Sequence, residues 1–322
     1  MLDLDSNAAE ILRELRKREQ RRKLALYRPY GHPDTLFGPQ NPHVPEWTNK
    51  PWQLEFHEAG ATHPERMQMA ANRVGKTEEA AAESSFHATG LYPDWWPGHR
   101  FDHGVLGWTG SPTNELSRDI VQKALLGGLG DHWGTGFLPV SENGSPGLIG
   151  KAKLKQAGIA DVVDFVKIRH VSGDVSTIQF KSYDQGWRKF QGTEPDFVWL
   201  DEEPDETDPQ KRIYTEVQTR ILTSGGIIMV TFTPLLGETT LVRHFRTKKP
   251  PGTWLGQATW DDAPHLDPAE KERLKSAYPA HELKTRTKGV PMMGEGGVFP
   301  LSEEDIKCEP FEIPNHYARI KG

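Results

Sequence analysis

The chain has 322 residues, 35% of them hydrophobic and 26% charged, and 45 acidic side chains outnumber 39 Lys and Arg to give a formal net charge of -6. A mean hydropathy of -0.65, with no apolar run approaching the roughly 18 to 20 residues that span a bilayer, argues against a membrane role, and the acidic opening MLDLDSNAAE argues against a secretory leader. The single cysteine, Cys308, excludes an internal disulfide or a multi-cysteine zinc site and fits a reducing cytoplasm, while the acidic balance confines any nucleic-acid contact to a local patch.

Such a patch opens the chain. Residues 1–28 have helical composition and carry Arg13, Arg16, Lys17, Arg18, Arg21, Arg22, Lys23 and Arg28, a set that suits either docking on protein or contact with phosphates. RPYGHPDTLFGPQNPHVPEW is too rich in Pro and Gly for helix or strand and reads as a linker or wrapping arm. MQMAA, KTEEAAAESSFHAT, GVLGWTG and NELSRDIVQKALL then alternate strand and helix patterns, predicting a mainly parallel sheet flanked by helices. VVDFVKIRHV and STIQFKSY alternate polar and apolar residues around Ser172-Gly173-Asp174, which predicts a hairpin. DFVWLDEE and GIIMVTFTP are short apolar strands with polar ends, and ATWDDAPHLDPAEKERLKSAYPAHELKTRTKG predicts a small helical lid subdomain. The expected division is an N-terminal helix and arm at 1–45, an α/β core at 46–240, the lid at 241–300 and a connecting segment at 301–322.

Chemistry concentrates at strand ends, where open parallel sheets bind ligands. Ala70-Ala71-Asn72-Arg73-Val74-Gly75-Lys76-Thr77 lies between a strand and a helix, as a phosphate loop requires. In such a loop Gly75 would admit close backbone approach, Lys76 would neutralise the outer phosphates, and the Thr77 hydroxyl can ligate Mg2+. The first position of the regular pattern asks for glycine, and this chain has Ala70. Asp201 and Glu202 end an apolar strand, the former suited to holding Mg2+ and the latter to orienting and deprotonating water. Thr231 and Thr233 end the next strand, where a hydroxyl can sense the terminal phosphate or merely precede the strand-ending Pro234. In the Pro51-Trp52-Gln53-Leu54 stretch, the Gln53 amide matches the two-sided edge of adenine and Trp52 suits the core. YPDWW at 92–96 reads as packing, and His265 as surface or capping chemistry.

In this order the motifs resemble the large terminase subunits of tailed phages, within the additional-strand (ASCE, RecA-like) branch of P-loop NTPases, over nearly the whole chain. The resemblance rests on WQLEFH, AANRVGKT as a variant Walker A, FVWLDEE as Walker B and TFTP as the coupling motif, with ATWDDAPHL and RTKGVPMMGEGGVFP similar to the family's lid and exit. The family's asparagine-arginine pair inside the loop is matched by Asn72-Arg73, with Val74 beside it. The resemblance implies an ATP- and Mg2+-dependent motor in the host cytoplasm that drives double-stranded DNA into a procapsid. It further implies work with a portal protein and a small terminase subunit as a homo-oligomeric ring, a pentamer, when docked. Such rings place an arginine from one subunit at the next subunit's site. Arg188, in a stretch from Tyr183 to Gly192 that resembles the family's loop, is the choice, with Arg286 as competitor. Full-length members continue into a nuclease domain, so no nuclease activity is expected from residues 1–322. Two other readings of the same core remain: a helicase or remodelling ATPase, and a nucleotide-gated scaffold with negligible turnover.

Overall fold

The computed structural model describes residues 23–32, 51–128, 133–153, 162–206 and 212–292. The basic segment before Lys23, most of the Pro/Gly-rich arm and everything from residue 293 lie outside the described residues. A short helix α1 (Trp52–Ala59) precedes β1 (Glu65–Ala70), α2 (Lys76–Thr89) and β2 (Leu106–Ser111). The continuous helical run of Asn114–Leu116, Ser117–Gln122 and Lys123–Leu126 forms α3. β3 (Gly147–Lys153), β4 (Val163–Arg169) and β5 (Val175–Ser182) follow, then the tight turns Tyr183–Gln185 and Trp187–Phe190 and strand β6 (Phe197–Asp201). Beyond these come α4 (Ile213–Ser224), β7 (Ile227–Phe232), α5 (Thr240–Arg243, continuing through His244–Lys248) and β8 (Thr253–Ala258). The described chain closes with α6 (Pro268–Ala277) and α7 (Ala280–Lys288).

The strands form one eight-stranded sheet in the order β3-β4-β5-β2-β6-β7-β1-β8. Every pairing from β5 to β8 is parallel, while β4 runs antiparallel to β3 and β5. The predicted hairpin is thus present, and its second strand extends the parallel sheet. All residues of β6 and β7 are buried, which explains their unbroken apolar runs: a parallel strand covered on both faces has no solvent side to alternate toward. Phe197, Trp199, Ile227 and Met229 pack with Phe86 of α2 and Val121 and Leu125 of α3. Their neighbours Val198, Leu200, Ile228 and Val230 pack against Val217 of α4 and Phe245 of α5. Alternate residues of a strand point to opposite faces, so the helices form a layer on each side.

A third cluster gathers Tyr30, Trp52, Ala70, Ala71, Val74, Ala258 and Trp260, with Tyr278 against it. It joins the end of β1 to α1 and to the chain leading into α6. Trp52 is core, as expected, and Tyr92, Trp95 and Trp96 of YPDWW pack together against Phe86. The 241–300 stretch is not wholly a helical lid, because β8 pairs with β1 as the sheet's edge strand. Its sequence, TWLGQA, lacks the apolar run of β6 and β7 because only Gly256 and Ala258 in it are fully covered. Beneath the sheet edge a buried charge cluster anchors α2: Arg66 donates to both oxygens of Glu83, at 2.5 and 3.1 Å, and His57 and His87 complete its coordination. Burial pushes the Glu83 carboxyl up, but Arg66 and the histidines outweigh it and hold the group well below the usual range.

Candidate functional site

β1 delivers the chain to the carboxyl edge of the sheet at Ala70, and residues 71–75 turn it into α2. Gly75 has φ 110°, a backbone that calls for glycine, and the Gln53 amide nitrogen lies 3.2 Å from where a Cβ would stand. Arg73 is left-handed as well, at φ 60°, and its side chain is exposed. The turn is fastened from several sides. The Ala71 amide donates to the Ala258 carbonyl of β8 (2.8 Å) and the Asn72 amide to the Arg286 carbonyl of α7 (2.9 Å). Trp260 Nε1 donates to the Asn72 carbonyl (2.9 Å), and His265 Nε2 lies 2.9 Å from the Arg73 carbonyl. Gln53 bonds at both ends of its amide, accepting from the Tyr30 amide (2.9 Å) and donating to the Gly75 carbonyl (3.3 Å). The first-turn amides of α2 have no acceptor within the helix, and its dipole adds positive potential there.

Lys76 is 8% exposed. Its Nζ donates to the carbonyls of Ala70 (3.2 Å) and Ala71 (2.6 Å) and to Thr233 Oγ1 (3.0 Å). Burial pushes its pKa down to about 8, against the pull of Glu202 and Asp201. From the neighbouring strands the chain brings its acids. Asp201 Oδ1 accepts from Thr77 Oγ1 (3.3 Å) and Thr231 Oγ1 (2.9 Å), and Thr231 Oγ1 in turn accepts from the buried Trp199 indole (2.8 Å). Burial raises the Asp201 carboxyl to about 7, with Glu202 adding to the effect and Thr231, Lys76 and Thr77 opposing it. Glu202 is exposed beyond the strand end with φ 64°, its amide bonded to the Thr231 carbonyl at 2.9 Å.

The structure therefore brings together two hydrogen-bonded groups, Lys76 with Thr233 and Thr77 with Asp201 and Thr231, with Glu202 next to Asp201 and Asn72, Arg73, Val74, Gly75 and Gln53 in or against the turn. Arg188 is exposed on the Trp187–Phe190 turn, with its guanidinium 5.3 Å from the Trp187 ring centre. Arg286 sits over the Tyr278 ring and pairs with Glu282 (2.5 Å), so its carbonyl rather than its charge reaches the turn. His265 is exposed, as the reading of surface or capping chemistry expects, and it also ties two segments together: one ring nitrogen meets the Tyr30 hydroxyl (2.5 Å) and the other the Arg73 carbonyl. Local sequence carries no sign of that tie, which joins residues 235 positions apart.

The T4-type family model for the terminase large subunit, N-terminal region, matches residues 67–306 of this chain. The terminase large subunit of Salmonella phage P22 is 35% identical over 291 residues, covering 83% of this chain and 55% of that protein. The corresponding subunit of Enterobacteria phage LP7 is 39% identical over 108 residues, covering 34% of this chain and 23% of that protein. This chain thus spans about half the length of the P22 relative. Among solved structures, the ATPase domain of the Thermus phage P74-26 large terminase superposes with a TM-score of 0.50 at 16% identity, covering 73% of this chain and 91% of that domain. That likeness concerns the fold. With the family model matched over residues 67–306, which include the turn and the acidic strand, the chain belongs to the terminase large subunit family.

Proposed function

We propose that this chain is the ATPase motor region of a DNA-packaging terminase, a P-loop enzyme that hydrolyses ATP to move double-stranded DNA into a procapsid. The observation that carries the reading is the contact between Thr77 and Asp201, which joins the lysine-bearing turn to the acid-tipped strand across 124 residues of sequence. The donor set there fits Mg2+: a hydroxyl and a carboxylate are hard oxygen ligands, and the raised Asp201 pKa marks a buried carboxylate short of positive charge. Bound there with ATP, Mg2+ would neutralise charge on the outer phosphates.

The remaining chemistry belongs to the chain. The Lys76 ammonium, whose donors are spent on the Ala70 and Ala71 carbonyls, exchanges them for phosphate oxygens. The first-turn amides of α2 receive the phosphates. Glu202 stands outside both hydrogen-bonded groups, free to orient a water and take its proton. Thr233 and Thr231 contact Lys76 and Asp201 respectively, so a change at either feels its way into β7. Gln53 keeps its adenine role only if its amide leaves Tyr30 or Gly75. Arg188, exposed on its turn, suits delivery to the site of a neighbouring copy in a ring. DNA, the portal, the small subunit and the host cytoplasm complete this reading.

The test is steady-state ATP hydrolysis by the wild-type chain and Glu202→Gln, with and without duplex DNA. Loss of about 10^2-fold or more in kcat is expected, the scale of general-base catalysis. Equal rates would leave a nucleotide-gated scaffold, and unwinding of a forked duplex would point to a helicase.

A further inference from the structure

The proposed base, Glu202, holds a left-handed backbone, φ 64°, that is unfavourable for a non-glycine residue. Such a conformation persists only where its surroundings impose it. One side is accounted for by the Glu202 amide, bonded to the Thr231 carbonyl of β7 at 2.9 Å. The other side is held by a residue from a different part of the chain. The Tyr183 hydroxyl lies 3.0 Å from the Glu202 carbonyl, 3.1 Å from the Asp201 carbonyl and 3.1 Å from the Gly110 carbonyl at the end of β2. Three acceptors converge on one donor.

We propose that Tyr183 is a positioning residue for Glu202, its hydroxyl clamping the carbonyls at the end of β6 and its ring linking that clamp to the turn that carries Arg188. The inference rests on the motor reading above and deepens it. Tyr183 begins the Tyr183–Gln185 turn directly after β5, and the Asp184 amide anchors that turn to the Pro112 carbonyl at 3.2 Å. The Tyr183 ring meets Phe190, which closes the Trp187–Phe190 turn, at a centroid distance of 6.4 Å. A Cβ at position 110 would stand 2.7 Å from Tyr183 Cε1, so the backbone of β2 leaves room for the ring only because Gly110 is there. Displacement of the Arg188 turn therefore pulls on Tyr183, and through its hydroxyl on the carbonyl of the residue that must aim the attacking water.

The test uses Tyr183→Phe in the full chain, in wild-type and Glu202→Gln backgrounds, with thermal unfolding to show that the retained ring keeps the fold. The expected result is a fall of about tenfold or more in kcat with KM for ATP changed less than about twofold, as for a small misplacement of a reacting group. In the Glu202→Gln background the same change adds no further loss, because its effect runs through Glu202. Unchanged kcat, or the same fractional loss in both backgrounds, overturns the proposal. Amide hydrogen exchange without nucleotide provides a second measurement: the Glu202 amide should exchange about tenfold faster in Tyr183→Phe while the amides within β6 stay protected. Unaltered exchange at Glu202 also overturns it. A wild-type chain that hydrolyses no ATP counts against the motor reading alone, and the exchange result still decides the role of Tyr183.

Discussion

Replacing Asp201 by Asn should stabilise the nucleotide-free protein, and by an amount that grows with pH. Asp201 is 4% exposed, and burial lifts its carboxyl from 3.8 to about 7. The folded state therefore binds the proton more tightly than the unfolded chain, so stability is greatest at low pH and falls as pH rises from the unfolded value through the folded one. At about 1.36 kcal/mol per pH unit the full cost of ionising Asp201 in the fold is about 4 kcal/mol, of which about 3 kcal/mol falls between about pH 5 and pH 8. Asn keeps a carbonyl oxygen for Thr77 and Thr231 but does not titrate. The difference between the two proteins then isolates this group from Glu203, which burial also raises to about 7, and from the rest. For a chain of this size the Tm advantage of Asp201→Asn should widen by about 6 °C over that range, at roughly 2 °C per kcal/mol. Differential scanning calorimetry at low ionic strength, without nucleotide or divalent cation, reads it directly. A Tm difference that stays constant with pH would refute the claim that burial of this carboxylate is uncompensated in the absence of ligand. ATP hydrolysis should be lost in the same variant, so stability and activity move in opposite directions.

The end of α7 offers another prediction. Gly289 ends α7 with φ 64°, and a Cβ there would stand 2.6 Å from the Ala70 backbone, while the Arg286 carbonyl one turn earlier holds the Asn72 amide. Gly289→Ala should cost about 1 to 2 kcal/mol for the left-handed backbone alone, and the displaced helix end should weaken ADP binding measured by calorimetry; unchanged affinity would show that α7 does not shape the turn. The position of Arg188 predicts complementation: Arg188→Ala and Glu202→Gln chains, each inactive alone, should regain ATPase activity when mixed, because one mixed interface carries both intact groups. Absence of recovery would remove Arg188 from the neighbouring site.

Much of the site was legible because it is written in contiguous residues. Lys76 and Thr77 follow Gly75 at the start of a helix, and Asp201 and Glu202 end a strand whose unbroken apolar run requires burial on both faces. Each signal depends on local backbone geometry and on the period of side-chain burial, which a sequence expresses directly. The hairpin around Gly173 was readable for the same reason. β3 and β8 were not, since these edge strands carry partly polar patterns that resemble loops.

By itself, then, the sequence determined which residues could meet a phosphate and where helices and strands alternate. The tertiary structure decided which of them meet. The sheet order places β7 between β1 and β6, and that placement alone sets Thr231 and Thr233 between the lysine turn and the acids. The turn itself is held by Tyr30 through Gln53, by Trp260 and His265, and by the end of α7, and the acid strand by Tyr183. None of these ties has a local signature, because each is made by crossover connections that bring distant residues to one edge of the sheet, and the energy that selects them comes from burying both faces of that sheet at once.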